Sequence, residues 1–213
     1  ALETDAQVAA DAGVDIIFAP SVDEMYPEGE PLIRISSGEL GNKFEGITRP
    51  GHFDGVLTVV NKLFNIVRPA AGSHEVNAYF GQKDAQQVLL VQRMIHDFNH
   101  DITLRPVAIV RDDDGLALSS RNEFLSEQER EAALVISRTL ALMRENSLNR
   151  GFESIDLESA RARINSTEGV RLDYLELVDP SNFQPPTADS ERVLALVAAY
   201  VGSTRLIDNM DLL

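Results

Sequence analysis

The alternation of short β-branched runs with helical patterns between residues 14 and 110 constrains this chain most. Val14-Asp15-Ile16-Ile17-Phe18-Ala19 is one such run, stopped by Pro20. Val76-Asn77-Ala78-Tyr79-Phe80 is a second, and residues 104–110 are a third. Two helical stretches separate the runs. In the first, which opens after Phe53, Val56, Val60, Leu63 and Val67 share one face. In the second, over residues 85–98, the apolar side is Val88, Leu89, Val91, Met94, Ile95 and Phe98. Strand, helix, strand, helix, strand at these lengths predicts βαβ units and a parallel sheet. A helix over residues 2–12, capped by Gly13, precedes the pattern, and residues 32–35 suit an edge strand.

After residue 122 the character changes. Ser126 and Glu129 form a capping-box signature, and the helix they open is expected to run to about residue 146. Arg150-Gly151 reads as a linker, and residues 154–165 as an amphipathic helix. Residues 170–178 alternate apolar with polar, residues 192–201 are apolar and β-prone, and Gly202-Ser203-Thr204 turns into residues 205–209. Three strands joined without helices predict an antiparallel meander. The expected division is therefore an α/β part over residues 1–122 and a small α+β domain over residues 123–213.

Charge and composition narrow the function. A net charge of -15 argues against a nucleic-acid binder and against an anionic membrane surface. It leaves room for a phosphate-bearing small ligand, because a local basic cluster inverts the field within one cleft. Cysteine is absent, which removes disulfides and thiolate zinc sites and fits a reducing, cytoplasmic setting.

Two polar loops sit at expected carboxyl ends of strands, where open α/β sheets bind ligands. The first is Gly81-Gln82-Lys83-Asp84, followed by Gln86 and Gln87. Glycine permits close backbone approach and lysine is a compact charge for polyphosphate. The same lysine also suits a solvated loop paired with Asp84. The second is Asp114-Gly115-Leu116-Ala117-Leu118-Ser119-Ser120-Arg121-Asn122, where hydroxyls and a guanidinium suit an anion. It reads equally as a polar turn before a capped helix. Arg49 and His52 either face the same cleft or serve as a loop arginine and a helix cap. The Asp112–Asp114 run is a weak metal site and reads better as a solvated turn. No Walker A loop, dinucleotide glycine fingerprint, Ser-His-Asp order or metal-spaced cluster is present.

Four stretches, taken together, resemble the pantothenate synthetase (pantoate–β-alanine ligase) family. They are Thr48-Arg49-Pro50-Gly51-His52-Phe53-Asp54-Gly55-Val56, Phe80-Gly81-Gln82-Lys83-Asp84-Ala85-Gln86-Gln87, the Asp114-to-Asn122 loop just quoted, and Thr204-Arg205-Leu206-Ile207-Asp208-Asn209. They match in order across nearly the whole chain. The resemblance implies a Rossmann-like nucleotidyltransferase sheet with a C-terminal lid domain, in a homodimer. It implies ATP and Mg²⁺, pantoate and β-alanine, and a pantoyl-adenylate whose AMP the β-alanine amine displaces. It makes Gly81, Gln82, Lys83 and Asp84 an ATP loop, with Lys83 on the phosphates and Asp84 near the ribose. Val110 would meet the adenine through its backbone. Leu118, Ser119, Ser120 and Arg121 would close over the β- and γ-phosphates, with Lys83, Ser119, Ser120 and Arg121 as the catalytic set. Gln87 would hold pantoate, while Arg49 and His52 would line the pantoate and β-alanine side.

The chain departs from the family in two ways. Gln82 stands where the family usually has glutamate. The family's Pro-Thr-Met-Gly, His-x-Gly-His and Asn-Pro-x-Gln-Phe stretches are not found, and belong upstream of Ala1. The expectation is a family member lacking the first strands of its sheet and inactive by itself. His52, His74, His96 and His100 supply no His-x-Gly-His pair. The loop over residues 70–76 is expected to exceed the family's usual link. A nucleotidyltransferase with another acceptor and a non-catalytic binding remnant are the alternative readings.

Overall fold

The computed structural model describes residues 2–69 and 75–213. His74 and most of the expected long loop over residues 70–76 lie outside the described residues. The chain divides into two units, residues 1–34 and residues 35–213.

In the first unit, helix α1 (Leu2–Asp11) buries none of its residues. It ends in a Schellman motif. The amide of Gly13 donates to the Ala10 carbonyl and that of Val14 to the Ala9 carbonyl, both at 3.0 Å. Gly13 takes φ +83°, a conformation that costs a residue with a Cβ, so the expected cap is found. The one-turn helix α2 (Val22–Met25) carries a capping box from Ser21 and Glu24. The strand expected over residues 14–19 is not formed, nor is the edge strand over residues 32–35. A strand exists only through pairing, and no described strand pairs with either run. Their β-branched residues lie in the open, Ile16 at 83% and Ile33 at 89% exposure.

The second unit contains the expected βαβ unit. Strands β1 (Asn77–Gly81) and β2 (Thr103–Val107) pair in parallel, with helix α5 (Ala85–Asp97) as the crossover. A parallel neighbour needs such a crossover, because a two-residue turn cannot reverse the chain twice. Before β1 come a 3₁₀ turn (Gly38–Asn42), the one-turn helix α3 (Glu45–Thr48) and the long helix α4 (His52–Val67). The buried stripe of α4 is Phe53, Leu57, Val60 and Phe64. The expected face was rotated: Val60 lies within the stripe, Val56 at its margin, and Val67 is exposed. The two phenylalanines decide this, since burying an aromatic ring removes more apolar area from water than burying a valine. On α5, Leu89, Leu90, Val91, Met94 and Ile95 are buried, while Phe98 lies beyond the helix and exposed.

The third inner strand stops at Val107, short of the expected residue 110. Residues 110–118 instead fold back as a tight hairpin. The Leu118 amide donates to the Val110 carbonyl at 2.9 Å, and the Asp112 amide to the Leu116 carbonyl at 2.9 Å. Arg130 clasps the acidic turn, reaching Asp112 at 2.7 Å and Asp114 at 2.8 Å.

A second layer follows. Helix α6 (Glu127–Arg150) starts at the Ser126–Glu129 capping box and runs past the expected end, with Gly151 as its C-cap. The expected linker at Arg150-Gly151 is thus a helix terminus. Helix α7 (Leu157–Asn165) leads to the meander β3 (Val170–Val178), β4 (Leu194–Val201) and β5 (Thr204–Asp211). The strand order is β3-β4-β5, antiparallel throughout. β4 is buried on both faces. Ala195, Val197, Ala199 and Val201 pack into a core with Leu134, Leu140 and Ile164 of α6 and α7. Leu194 and Leu196 face the other way, onto Leu89 of α5, Phe183 and Phe44. That second cluster seats the meander on residues 35–122. No helix among the described residues is long and apolar enough to cross a membrane.

Candidate active site

The carboxyl end of β1 runs into a single 3₁₀ turn, Gln82–Asp84, and then into α5. This places Lys83, Asp84 and the first amides of α5 at one end of the parallel pair. The one-turn helix α3 and the start of α4 bring Arg49 and His52 to the same place. The loop after the 110–118 hairpin brings Ser119 and Arg121, and β5 closes the far side with Asp208 and Asn209. These residues line one cleft of roughly 200 Å³, together with Glu45, Gln87 and Tyr174.

Seven of the expected site residues therefore meet: Arg49, His52, Lys83, Asp84, Gln87, Ser119 and Arg121. Gly81, Gln82, Leu118 and Ser120 lie within two residues of them in the chain but do not line the cleft, and neither does Val110. Gln82 faces a different cavity, behind β5, while its carbonyl accepts from the Asn209 side chain. The Val110 carbonyl is engaged by Leu118. Ser119 caps the 3₁₀ helix Ser120–Phe124, its hydroxyl accepting from the Arg121 amide at 3.2 Å.

The adjacent glutamines have separated roles. Gln86 is buried and spends its amide on protein: Nε2 donates to the carbonyls of Leu40 and Lys43, and Oε1 accepts from the Glu45 amide. Gln87, one residue on and about 100° around the helix, points into the cleft. Among the described residues neither Gln87, Lys83 nor Arg49 has a side-chain hydrogen bond or an ion pair. The expected alternative for Lys83, a pair with Asp84, is not formed.

The cleft's acids are mostly engaged. The Arg111 fork takes Asp208 at 2.7 and 2.9 Å, and the Arg205 fork takes Glu45 at 2.6 and 2.8 Å. Burial alone would lower the Arg205 value, but its bonds to Glu45 and then Asp173 outweigh that and hold it above the ordinary arginine range. Tyr174 donates its hydroxyl to Glu45 at 2.9 Å. Burial, followed by the Glu45 charge, pushes that hydroxyl far above the usual tyrosine range. Burial and then the Arg49 charge hold His52 below the ordinary imidazole value, against the opposite pull of Asp84 and Glu45. Asp84 is the lining carboxylate without an arginine.

Arg49, Lys83 and Arg121 thus enter one cleft from three separate segments, with a free amide at Gln87. Such a set suits a substrate bearing several anionic groups. A model of the Pantoate-beta-alanine ligase family matches residues 1–211.

The chain belongs to the pantoate–β-alanine ligase family.

The relatives agree. Pantothenate synthetase of Paenarthrobacter aurescens is 49% identical over 222 residues, covering 99% of this chain and 75% of that protein. That of Corynebacterium glutamicum is 48% identical over 215 residues, covering 99% and 74%. Among solved structures, pantothenate synthetase from Thermus thermophilus superposes with a TM-score of 0.89 at 41% identity, covering all of this chain and 75% of that one. Pantoate-beta-alanine ligase from Francisella tularensis, a structure complexed with beta-gamma ATP and beta-alanine, gives 0.74 at 36% identity, covering 99% and 69%. This pantoate–β-alanine ligase has a nucleotidyltransferase-like fold with a C-terminal domain.

Sequence reasoning missed Glu45, Tyr174, Asp208 and Asn209 as lining residues. Asp208 and Asn209 did lie in a quoted motif, although without a role. Glu45 and Tyr174 carry no local signal, since each matters only through partners more than a hundred residues away.

Proposed function

We propose that this ligase is ATP-dependent and AMP-forming, and that it passes through a pantoyl-adenylate. The convergence of Arg49, Lys83 and Arg121 beside Gln87 carries the reading. Lys83 bears on the nucleotide phosphates and Arg121 with Ser119 and Ser120 closes over them. Leu118 and the backbone of Gly81, Gln82 and Val110 frame the nucleotide, Val110 at the adenine and Asp84 at the ribose. Gln87 holds pantoate, with Arg49 and His52 on the pantoate and β-alanine side. Residues 123–213 act as the lid over the nucleotide and pantoate part within residues 1–122. The ligase works as a cytoplasmic homodimer.

The chemistry is positioning with charge neutralisation. The pantoate carboxylate oxygen attacks the α-phosphorus, the bond to the β-phosphate oxygen breaks, and pyrophosphate leaves. The β-alanine nitrogen then attacks the activated carbonyl carbon, and AMP departs with the bonding electrons. Holding two reactants in line supplies much of such a rate enhancement, and fixed cations supply charge stabilisation where it develops. His52, whose imidazole burial and then the Arg49 charge hold below its ordinary range, can take the proton that the β-alanine amine sheds as its nitrogen bonds to the carbonyl carbon.

Among the described residues no group of three carboxylates or histidines forms a metal cage. That lining fits Mg²⁺ carried in by the nucleotide, since Mg²⁺ commonly takes substrate phosphates and keeps several waters. Bound there, it would neutralise the polyphosphate charge.

The test is ATP–pyrophosphate exchange in the full chain. Exchange should require pantoate, and other hydroxy acids should not replace it. Exchange independent of pantoate would overturn the adenylate. Lys83→Ala should slow pyrophosphate release in a single turnover by ~10²–10³-fold, the usual cost of one such stabilising group. An unchanged rate would remove Lys83 from the phosphate site.

A further inference from the structure

Thr204-Arg205-Leu206-Ile207-Asp208-Asn209 stands out in the sequence, yet nothing in the ligase reaction as proposed uses its arginine. In the structure Arg205 lies on β5, the outer strand of the meander. Its side chain is 9% exposed. Its fork reaches Glu45, 160 residues away, at 2.6 and 2.8 Å, and its edge reaches Asp173 at 2.8 and 3.0 Å. Its backbone carbonyl accepts from Arg121 at 3.0 Å. One residue therefore grips both sides of the cleft, with its side chain on α3 and its carbonyl on the 119–124 loop.

The α3 end of this grip is built with care. Glu45 is the first residue of α3, and the Arg49 amide donates to its carbonyl at 3.0 Å. Fixing Glu45 thus fixes the single turn that presents Arg49. Phe44, just before it, takes φ +46°, which strains a side-chain-bearing residue and persists only where neighbours over-determine it. The neighbours are visible. The Phe44 ring packs on Tyr174 and Phe183, and Gln86 bonds the Glu45 amide. A strained residue held between an aromatic anchor and a buried ion pair marks a place where position is controlled.

We propose that Arg205 is a positioning residue for the ligase reaction. By tying Glu45 to the Arg121 loop it sets the span between the acyl side, where Arg49 stands, and the phosphate side, where Arg121 stands. It does not touch the reacting atoms. A lysine cannot replace it, because a point charge cannot hold two carboxylates with a planar fork. The inference rests on the acyl and phosphate assignments proposed for Arg49 and Arg121.

The experiment uses Arg205→Lys, Glu45→Gln and the double variant in the full chain. Single-turnover pyrophosphate release is measured per folded molecule, with the KM for ATP and the thermal midpoint alongside. Misplacement of reacting groups by about 1 Å costs on the order of 10²-fold. We expect Arg205→Lys to lose that in the chemical step, with KM for ATP changed less than about threefold. The double variant should be no slower than the slower single, because both singles break the same tie. A rate per folded molecule within twofold of the parent in Arg205→Lys would overturn the proposal, as would additive losses. If Arg205→Lys does not fold, Glu45→Gln decides by its own rate per folded molecule, and a value within twofold of the parent overturns the proposal. Arg121→Ala serves as the control on the underlying reading. If it leaves ATP affinity unchanged, the phosphate assignment fails, whereas the Arg205 result still reports on positioning.

Discussion

Two seams join the meander β3–β5 to residues 35–122, and they differ in kind. One is apolar, with Leu194 and Leu196 of β4 against Leu89 of α5, Phe44 and Phe183. The other is ionic and runs along β5, through Arg205 to Glu45, Arg111 to Asp208, and Asn209 to the carbonyls of Gln82 and Lys83. The apolar seam removes area from water and is indifferent to small rotations. The ionic seam gains little net stability from its charges but tolerates few geometries. The first holds the parts together and the second fixes where they stop. Glu45, Asp208 and Asn209 of the ionic seam also line the cleft, so the part that sets geometry borders the candidate site.

The strongest way to break this contrast is Asp208→Ala. It strands the half-buried Arg111 fork, and removing one partner of a buried pair costs about 3–5 kcal/mol. Urea unfolding should show that loss. A loss under about 1 kcal/mol would mean that Arg111 rehydrates freely and the ionic seam is peripheral. On the apolar side, Leu89→Ala should cost about 2–3 kcal/mol through lost transfer and a residual cavity. It should leave single-turnover chemistry per folded molecule nearly intact. A fall in that rate comparable with Arg205→Lys would erase the division of labour.

The next test concerns order. Within residues 114–122 the hairpin holds Leu118 and Arg130 holds Asp114, while the Arg121 side chain has one bond, to the Arg205 carbonyl. ATP with Mg²⁺ should slow hydrogen exchange across them, while the Leu89 segment of α5 changes little. Equal exchange in both states would remove the closing loop.

The smallest effect is in pH. His52 is held below its ordinary value by burial and then Arg49, and His100 by burial and then Arg68. The unfolded chain therefore binds protons near pH 6.5 that the folded chain refuses, so stability rises with pH across the window below that value. The thermal midpoint should be highest above about pH 7 and fall gently as pH drops through 6.5. Replacing His100 by asparagine should flatten the slope. An unaltered slope would place the titration elsewhere.

How much of this was legible in the sequence depended on where the deciding contacts lie. β3 was read at its full span because its alternation is local, and the start of α6 because Ser126 and Glu129 form a cap within one turn. The end of α6 was misread, since Gly151 is a helix stop and not a spacer. Residues 14–19 have strand composition, yet composition supplies no partner. At the cleft, Lys83 and Arg121 were legible as polar groups in loops at strand ends, and Arg49 as a guanidinium in a loop that opens a helix. Glu45 and Tyr174 were not, because an acid and a phenol on ordinary segments become site residues only when β5 reaches across.

The two-residue turn led by Gly202, at φ +56°, leaves β5 as the outer strand with Arg205 and Asn209 on its free side. Among the described residues no further strand covers that side. Guanidinium groups cap its carbonyls instead, Arg121 at residue 205 and Arg111 at residue 209. Whenever the cleft gapes, an unpaired strand is bared to other chains, a ready template for edge-to-edge association. Turnover and solubility are then linked. In the proposed cycle, each opening that releases product also exposes a surface prone to aggregation, and a nucleotide that closes the lid would protect the protein in storage as well as in catalysis.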